Sequence, residues 1–297
     1  MKLFITGATG FIGRQVLAKL VSGEHDILAL SRNAPSMAAP VSVGAVRWLR
    51  GDLRNLEDWQ GELAAFGPEA ALHLAWEGIP NFDVQTSLRN VAAGVALLEC
   101  LGRAGCKTII ASGTCAEYGS ASGRVSEAAA AQPQDNLGMS KHMLHWWGRE
   151  LLRVYPVRFI WARLFYVYGP GQRSASLIPS LLSARSAGVM PELKNPPGAH
   201  DFVYVGDAVR ALASLLAECE RLRHHVYNIG SGRLTTVGHI YDLMFSGAPS
   251  SSAAVSAGGF YADISRMSED TGWHPEIPIA AGIALMKEQF HSPSFVS

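Results

Sequence analysis

The sequence predicts an α/β fold, a doubly wound parallel (Rossmann) sheet with a smaller carboxyl-terminal lobe, and three observations carry that expectation. A short apolar strand, Lys2 to Ile5, runs into Thr6-Gly7-Ala8-Thr9-Gly10-Phe11-Ile12-Gly13, which opens directly into a helical pattern reaching about Val21. Short apolar strands at Asp26 to Leu30, Val46 to Leu49, Ala70 to Leu74, Thr108 to Ala111 and Val157 to Leu164 then alternate with amphipathic segments. Strands separated by helices need right-handed crossovers, which build a parallel sheet covered on both faces. From about Tyr166 the alternation weakens, and Pro170, Gly171, Pro179, Pro191, Pro196, Pro197 and Gly198 punctuate the chain as the loops of a second lobe would.

The first turn reads as a phosphate cradle. Gly7 permits the tight bend, Gly10 leaves room for a pyrophosphate, and Gly13 lets the helix beginning near Phe11 lie close to the strand. The helix N-terminus then offers N–H groups and a partial positive charge to the phosphates. The spacing is G-x-x-G-x-x-G, not the dehydrogenase G-x-G-x-x-G, so the cradle points to a different branch of dinucleotide binders. In such sheets ligands lie beyond the carboxyl ends of the strands, which selects Ser31-Arg32, Asp52, Ala75-Trp76, Ser112 to Thr114 and Phe165 to Tyr168. A carboxylate after the second strand would accept the ribose 2′-OH of NAD. Here Ser31-Arg32-Asn33 stands in its place, and a guanidinium suits a 2′-phosphate, so NADP is expected over NAD; a merely solvated Arg32 would leave the choice open.

The dinucleotide-binding domain is expected over 1–165, with 202–230 returning to it and Phe202 to Leu216 rejoining the main sheet; the substrate lobe is expected over 166–297, with a Ser/Ala/Gly stretch from Ser246 to Gly259. Its 25 basic and 25 acidic side chains give no electrostatic case for nucleic acid or an anionic membrane, so the expected partner is a small molecule. Cys100, Cys106, Cys115 and Cys219 form no C-x-x-C pair and fall within expected strands and helices, which reads as reduced thiols of a cytoplasmic protein. The initial apolar stretch breaks at Thr6-Gly7, too early for a secretory leader, and no run reaches membrane-spanning length.

With the cradle joined to Gly51-Asp52-Leu53, His73-Leu74-Ala75, Asn90, Tyr168-Gly169-Pro170, Asp201-Phe202-Val203-Tyr204-Val205 and Asn228-Ile229-Gly230, the chain resembles the extended short-chain dehydrogenase/reductase family over nearly its whole length. That family includes NAD(P)-dependent nucleotide-sugar epimerases, dehydratases and 4-ketoreductases. The resemblance implies a cofactor site of Gly7, Thr9, Gly10, Phe11, Ile12 and Gly13, with Arg32, Asp52 and Leu53 toward the adenosine, Leu74 and Ala75 along the pyrophosphate and ribose, and Lys141 at the nicotinamide ribose. A helix cap is the plainer role for Asp52. Asn90 is expected inside a helix, bonding neighbouring backbone. The resemblance also implies a homodimer through helices near Gln85 to Leu101 and Lys141 to Leu152.

The family pairs a tyrosine and a lysine four residues apart on one helix with a hydroxyl after the fifth strand; the lysine lowers the phenol pKa so that it can pass a proton to the substrate oxygen. Here the stretch reads Asn136-Leu137-Gly138-Met139-Ser140-Lys141-His142, so Lys141 is in place and Leu137 occupies the tyrosine position. Thr114, in Ser112-Gly113-Thr114-Cys115-Ala116-Glu117-Tyr118-Gly119, matches the hydroxyl. Three readings stand: redox chemistry with the proton supplied by Thr114, a water, Tyr166 or Tyr118; a non-catalytic NADP-binding sensor or partner subunit; or a leucine introduced to silence the enzyme.

On the substrate side the candidates are Trp76, Thr114, Tyr166, Arg173 and His200, with Arg173 suited to a diphosphate and His200 standing where relatives often carry arginine. Asp201, Asp207 and Asn228 read as structural. His142, His145, His224 and His225 lack thiolate or carboxylate companions at ligand spacing, so no metal is expected. The expected activity is an NADP-dependent reductase acting on a nucleotide-activated sugar, at a 4-keto group, with epimerase or dehydratase as the alternative.

Overall fold

The computed structural model describes residues 1–33, 46–245 and 258–290; the stretch expected from Ser246 to Gly259 lies, up to residue 257, outside them. The chain runs β1 (Lys2–Thr6), α1 (Phe11–Val21), β2 (Asp26–Ser31), β3 (Arg47–Arg50), α2 (Gln60–Phe66), β4 (Ala70–His73), α3 (Val84–Arg103), β5 (Thr108–Thr114), β6 (Gly123–Val125), α4 (Asn136–Leu152) and β7 (Arg158–Leu164). It continues with β8 (Tyr166–Tyr168), α5 (Leu177–Ser186), β9 (Ala199–His200), β10 (Phe202–Tyr204), α6 (Val205–Ala217), β11 (Val226–Ile229), β12 (Thr235–Thr236), α7 (Val237–Phe245), β13 (Phe260–Ala262), α8 (Ser265–Thr271) and α9 (Ile279–Gln289).

Seven strands form the parallel central sheet in the order β11-β7-β5-β4-β1-β2-β3. The order reverses beside β1, which pairs in parallel with both β2 and β4, and this places the cradle after β1 at the switch point where such sheets bind ligands. β1 and β4 are buried along nearly their whole length, as strands covered by helices on both faces must be, and they read as continuous apolar runs.

The chain divides into two units: Met1–Ser120 with Ala130–Arg163 and Leu212–Tyr227, and Ala121–Ala129 with Leu164–Ala211 and Asn228–Ser297. In the first, Phe4, Leu28, Leu49, Trp59, Leu97, Leu98, Ile109, Leu144 and Trp161 make one core, with the Phe4 and Trp59 rings stacked at 6.0 Å. The helices that hold site residues are capped by acids. Asp83 accepts the Thr86 N–H at the start of α3, and Asp135 accepts the Gly138 N–H at the start of α4.

In the second unit, Tyr168, Ile178, Leu181, Leu182, Phe202, Ile240, Met244, Ile283 and Met286 form a separate core. Here the expected return of Phe202 to Leu216 to the main sheet is corrected. Phe202–Tyr204 pairs in parallel with Tyr166–Tyr168 in a two-stranded sheet, and it is Val226–Ile229 that supplies the seventh central strand. The Phe202 ring contacts Tyr166, Tyr168 and His200 in the local aromatic cluster.

Candidate active site

The cradle is built by backbone that tolerates no side chains. Gly7 has φ +75°, and a Cβ there would stand 2.6 Å from the Ala75 nitrogen. A Cβ on Gly13 would overlap the Gly7 carbonyl. Helix α1 is capped by Gly10 in extended conformation, with no side-chain cap and no acid in the first turn, so its leading N–H groups meet no carboxylate of their own. An uncapped helix start, bare of Cβ atoms and beside the switch point, fits the pyrophosphate of an adenine dinucleotide. Thr9 and Gly10 are exposed there, with Phe11 and Ile12 half-buried behind them.

The neighbouring strand is locked to the cradle through Thr6. Its carbonyl accepts the Leu74 N–H at 3.1 Å, its hydroxyl oxygen accepts the Ala75 N–H at 3.4 Å, and the hydroxyl bonds the His73 Nδ1 at 2.7 Å. Burial, with the charge of Lys141 adding to it, pushes the His73 imidazole down to about 3, so the ring is neutral.

At the expected adenosine end, Arg32 pairs with Glu77 at 3.4 Å, the arginine side chain being largely in water and the glutamate partly covered. Asp52 does not cap the short turn Leu56–Asp58, whose first residue is preceded by Asn55. Its carboxylate instead accepts the backbone N–H of Arg54 at 2.9 Å and the Arg54 guanidinium at 2.6 Å, and the guanidinium holds it below the ordinary carboxylate range. Leu53 packs on the first core. Asn90, inside α3, accepts the Glu77 N–H at 2.8 Å and donates to the carbonyls of Glu77 and Thr86, which fixes the loop after β4.

At the carboxyl end of β5, Lys141 reaches from α4 onto the strand. Its Nζ donates to the Ser112 carbonyl at 2.7 Å and lies 3.2 Å from the Ser112 hydroxyl, and the Trp76 ring centre stands 4.0 Å away. The side chain is 5% exposed, and burial pushes the ammonium down to about 7 although Glu117 pulls the other way. Thr114 follows Ser112 by two residues, on the same face of β5, and its oxygen accepts the Ala116 N–H at 3.2 Å. Half-buried Leu137 lies one turn before Lys141 on α4.

The buried hub behind this end was not anticipated. Glu117 is wholly buried; Oε1 accepts from the Thr114 N–H at 2.9 Å and the Trp161 indole at 2.8 Å, and Oε2 accepts from Arg163 Nε at 3.0 Å. Burial alone would raise its carboxyl, but the His142 ring, Arg163 and these donors hold it below the ordinary value. His145 stacks on Trp161 at 4.9 Å, and burial pushes its imidazole down to about 4. The expectation that these histidines lack a carboxylate companion is therefore corrected: Glu117, His142 and His145 bring ligand atoms within 4.8 Å of one another. The carboxylate is already neutralised by Arg163 and both its oxygens accept protein donors, so the grouping braces Thr114 and α4. Thr114-x-x-Glu117 is a capping-box spacing, the one sequence signal that could have found it.

In the second unit, the exposed Tyr166 ring lies 4.3 Å from His200, whose pKa burial lowers, so two of the substrate candidates share a surface. Arg173 is exposed and makes no ion pair among the described residues. Asp201 accepts the N–H groups of Ser231, Gly232 and Ala262, Asp207 those of Glu276 and Ile277, and Asn228 donates to the Val125 carbonyl; all three order backbone.

Comparison with known proteins agrees with this fold. The model of the NAD dependent epimerase/dehydratase family matches residues 3–230. The dTDP-4-dehydro-6-deoxyglucose reductase of Escherichia coli is 24% identical over 95% of both chains. The dTDP-6-deoxy-L-talose 4-dehydrogenase (NAD(P)(+)) of Kitasatospora kifunensis is 29% identical over 86% of this chain and 82% of its own. Among solved structures, UDP-glucose 4-epimerase from Thermotoga maritima shares the fold with a TM-score of 0.85 over 98% of both chains at 23% identity.

Proposed function

Because the chain belongs to the NAD dependent epimerase/dehydratase family, in its extended short-chain dehydrogenase/reductase group, we propose that it reduces the 4-keto group of a nucleotide-activated sugar with NADPH. The observation that carries the reading is the join within one unit: an uncapped phosphate cradle after β1, with Lys141 bonded to Ser112, two residues before Thr114 on β5. Two relatives named as a 4-keto-sugar reductase and a sugar 4-dehydrogenase support redox at that position over epimerisation or dehydration. Arg32 supports NADP, because a guanidinium matches a 2′-phosphate and the long 3.4 Å pairing of this mostly exposed side chain with Glu77 is readily exchanged.

When bound, the reduced nicotinamide supplies the hydride. Gly7, Gly10 and Gly13 admit the pyrophosphate, and Lys141 holds the nicotinamide ribose. Thr114 accepts the Ala116 N–H on one lone pair, and its O–H proton is the group that would hold the keto oxygen. Trp76 walls the sugar. Tyr166, His200 and Arg173 serve the nucleotide half, with Arg173 on the diphosphate. A homodimer through α3 and α4 would cover Leu88, Met139 and Trp146, which are about half exposed. Among the described residues no helix is long and apolar enough to cross a membrane; the free cysteines support a reducing, cytoplasmic setting.

Leu137 favours one competing reading, a module that binds NADPH without turnover. Loss of NADPH absorbance with a panel of dTDP- and UDP-linked 4-keto sugars separates the two. Turnover by the wild type, faster in Leu137→Tyr, is expected; saturable NADPH binding with no oxidation by either protein would establish the module instead.

A further inference from the structure

The Lys141 ammonium has three N–H groups, and each has a partner. The Ser112 carbonyl and hydroxyl, at 2.7 and 3.2 Å from Nζ, account for two, and the Trp76 ring, centred 4.0 Å away, is the third. The lysine side chain is 5% exposed, so its head is closed off from water. A ribose hydroxyl can reach this ammonium only by taking the place of one of the three.

The partners are unequal. The Ser112 carbonyl makes a short charge-assisted hydrogen bond, and its strand is held in the central sheet by pairing with β4. The indole attracts the cation through its ring face and offers no oxygen lone pair. Trp76 is therefore the partner that a hydroxyl displaces. It lies half-buried between β4 and α3, with the backbone fastened on both sides: Leu74 and Ala75 donate to Thr6, and Glu77 is bonded to Asn90 through its N–H and its carbonyl. With the backbone held, the ring moves by turning about its own side-chain bonds.

We propose that the Trp76 indole is a gate on the nicotinamide-ribose site, covering the ammonium that the ribose must reach and turning aside as the coenzyme binds. The assignment rests on the reading of Lys141 as the ribose contact. The gate lowers coenzyme affinity by the fraction of molecules whose ring is turned away. A reductase must release oxidised coenzyme after each turnover, and a ring that returns to the ammonium favours that release.

Calorimetric titration of the intact protein tests this through the sign of the effect. Trp76→Leu keeps an apolar side chain but has no ring face, so it should bind NADPH about 3- to 30-fold more tightly than the wild type. Trp76→Phe, with a weaker face, should fall between them. Adenosine 2′,5′-bisphosphate lacks the second ribose and should bind all three proteins alike. Unchanged or weaker NADPH binding by Trp76→Leu overturns the gate, since the ring would then be idle or part of the bound site. Equal tightening of both ligands also overturns it, because the effect would then arise at the adenosine half. In a crystal structure of the NADPH complex, the ring centre should stand more than about 6 Å from Nζ, beyond the reach of such a contact. A ring still at its present distance with the coenzyme in the cradle overturns the proposal. Absence of saturable binding of either ligand by the wild type would instead remove the coenzyme reading, and the gate with it.

Discussion

Replacing Glu117 by glutamine tests the buried hub that braces the carboxyl end of β5. The carboxylate and Arg163 are both almost completely buried, with Nε to Oε2 at 3.0 Å, and Arg163 Nη1 has no hydrogen-bond partner among the described residues. Glutamine keeps the acceptor for Thr114 and Trp161, but it removes the charge and turns an NH₂ toward a donor. An uncompensated buried guanidinium then remains, a loss that costs about 3–5 kcal/mol. With a urea slope near about 3 kcal/mol/M for a chain of this size, the unfolding midpoint followed by tryptophan fluorescence should drop by roughly 1 M or more. The sign with pH follows from the lowered Glu117 pKa. Its contribution is complete above the ordinary glutamate value and is lost as pH falls through the folded-state value, so wild type and variant should converge in acid. A neutral-pH cost below about 1 kcal/mol, or a gap unchanged below the ordinary glutamate value, would refute the argument.

Gly13→Val should abolish NADPH binding in a fluorescence titration, because any Cβ at that position meets the Gly7 carbonyl; retained affinity would show that the cradle is not the phosphate site. Arg32→Ala should weaken NADPH by about 10- to 100-fold while leaving NADH nearly unchanged, the worth of a charge-assisted contact to a 2′-phosphate, and equal losses for both would remove the NADP preference. Asp201→Asn should cost about 1–3 kcal/mol in chemical denaturation, since the amide presents a donor to the Ser231, Gly232 and Ala262 N–H groups that the carboxylate accepts. The proposed homodimer predicts twice the monomer mass for the wild type by size-exclusion chromatography with light scattering and the monomer mass for Trp146→Glu; equal masses for the two proteins would remove this face as the interface.

What could be read from the chain is what depends on neighbours in sequence. The cradle is legible because Gly7, Gly10 and Gly13 act within a single turn, where sterics alone dictate glycine, and the alternation of apolar strands and helices implies a parallel sheet through the handedness of its crossovers. The return of the chain was harder. Phe202–Tyr204 and Val226–Ile229 are both short apolar runs, and only packing decides that one pairs with β8 while the other extends the central sheet.

The site divides in the same way. Sequence placed Leu137 and Lys141 one helical turn apart and noted the lost phenol, because helix geometry fixes that spacing. It could not place the Lys141 ammonium on Ser112 beneath Trp76, nor gather Glu117, Arg163, Trp161, His142 and His145, which are up to 46 residues apart. Those contacts arise where β4, β5, α4 and β7 meet, and their protonation states follow from the water excluded there. Desolvation is a property of the packed interior, which is why the chain alone named the lysine but only the folded structure lowered its pKa.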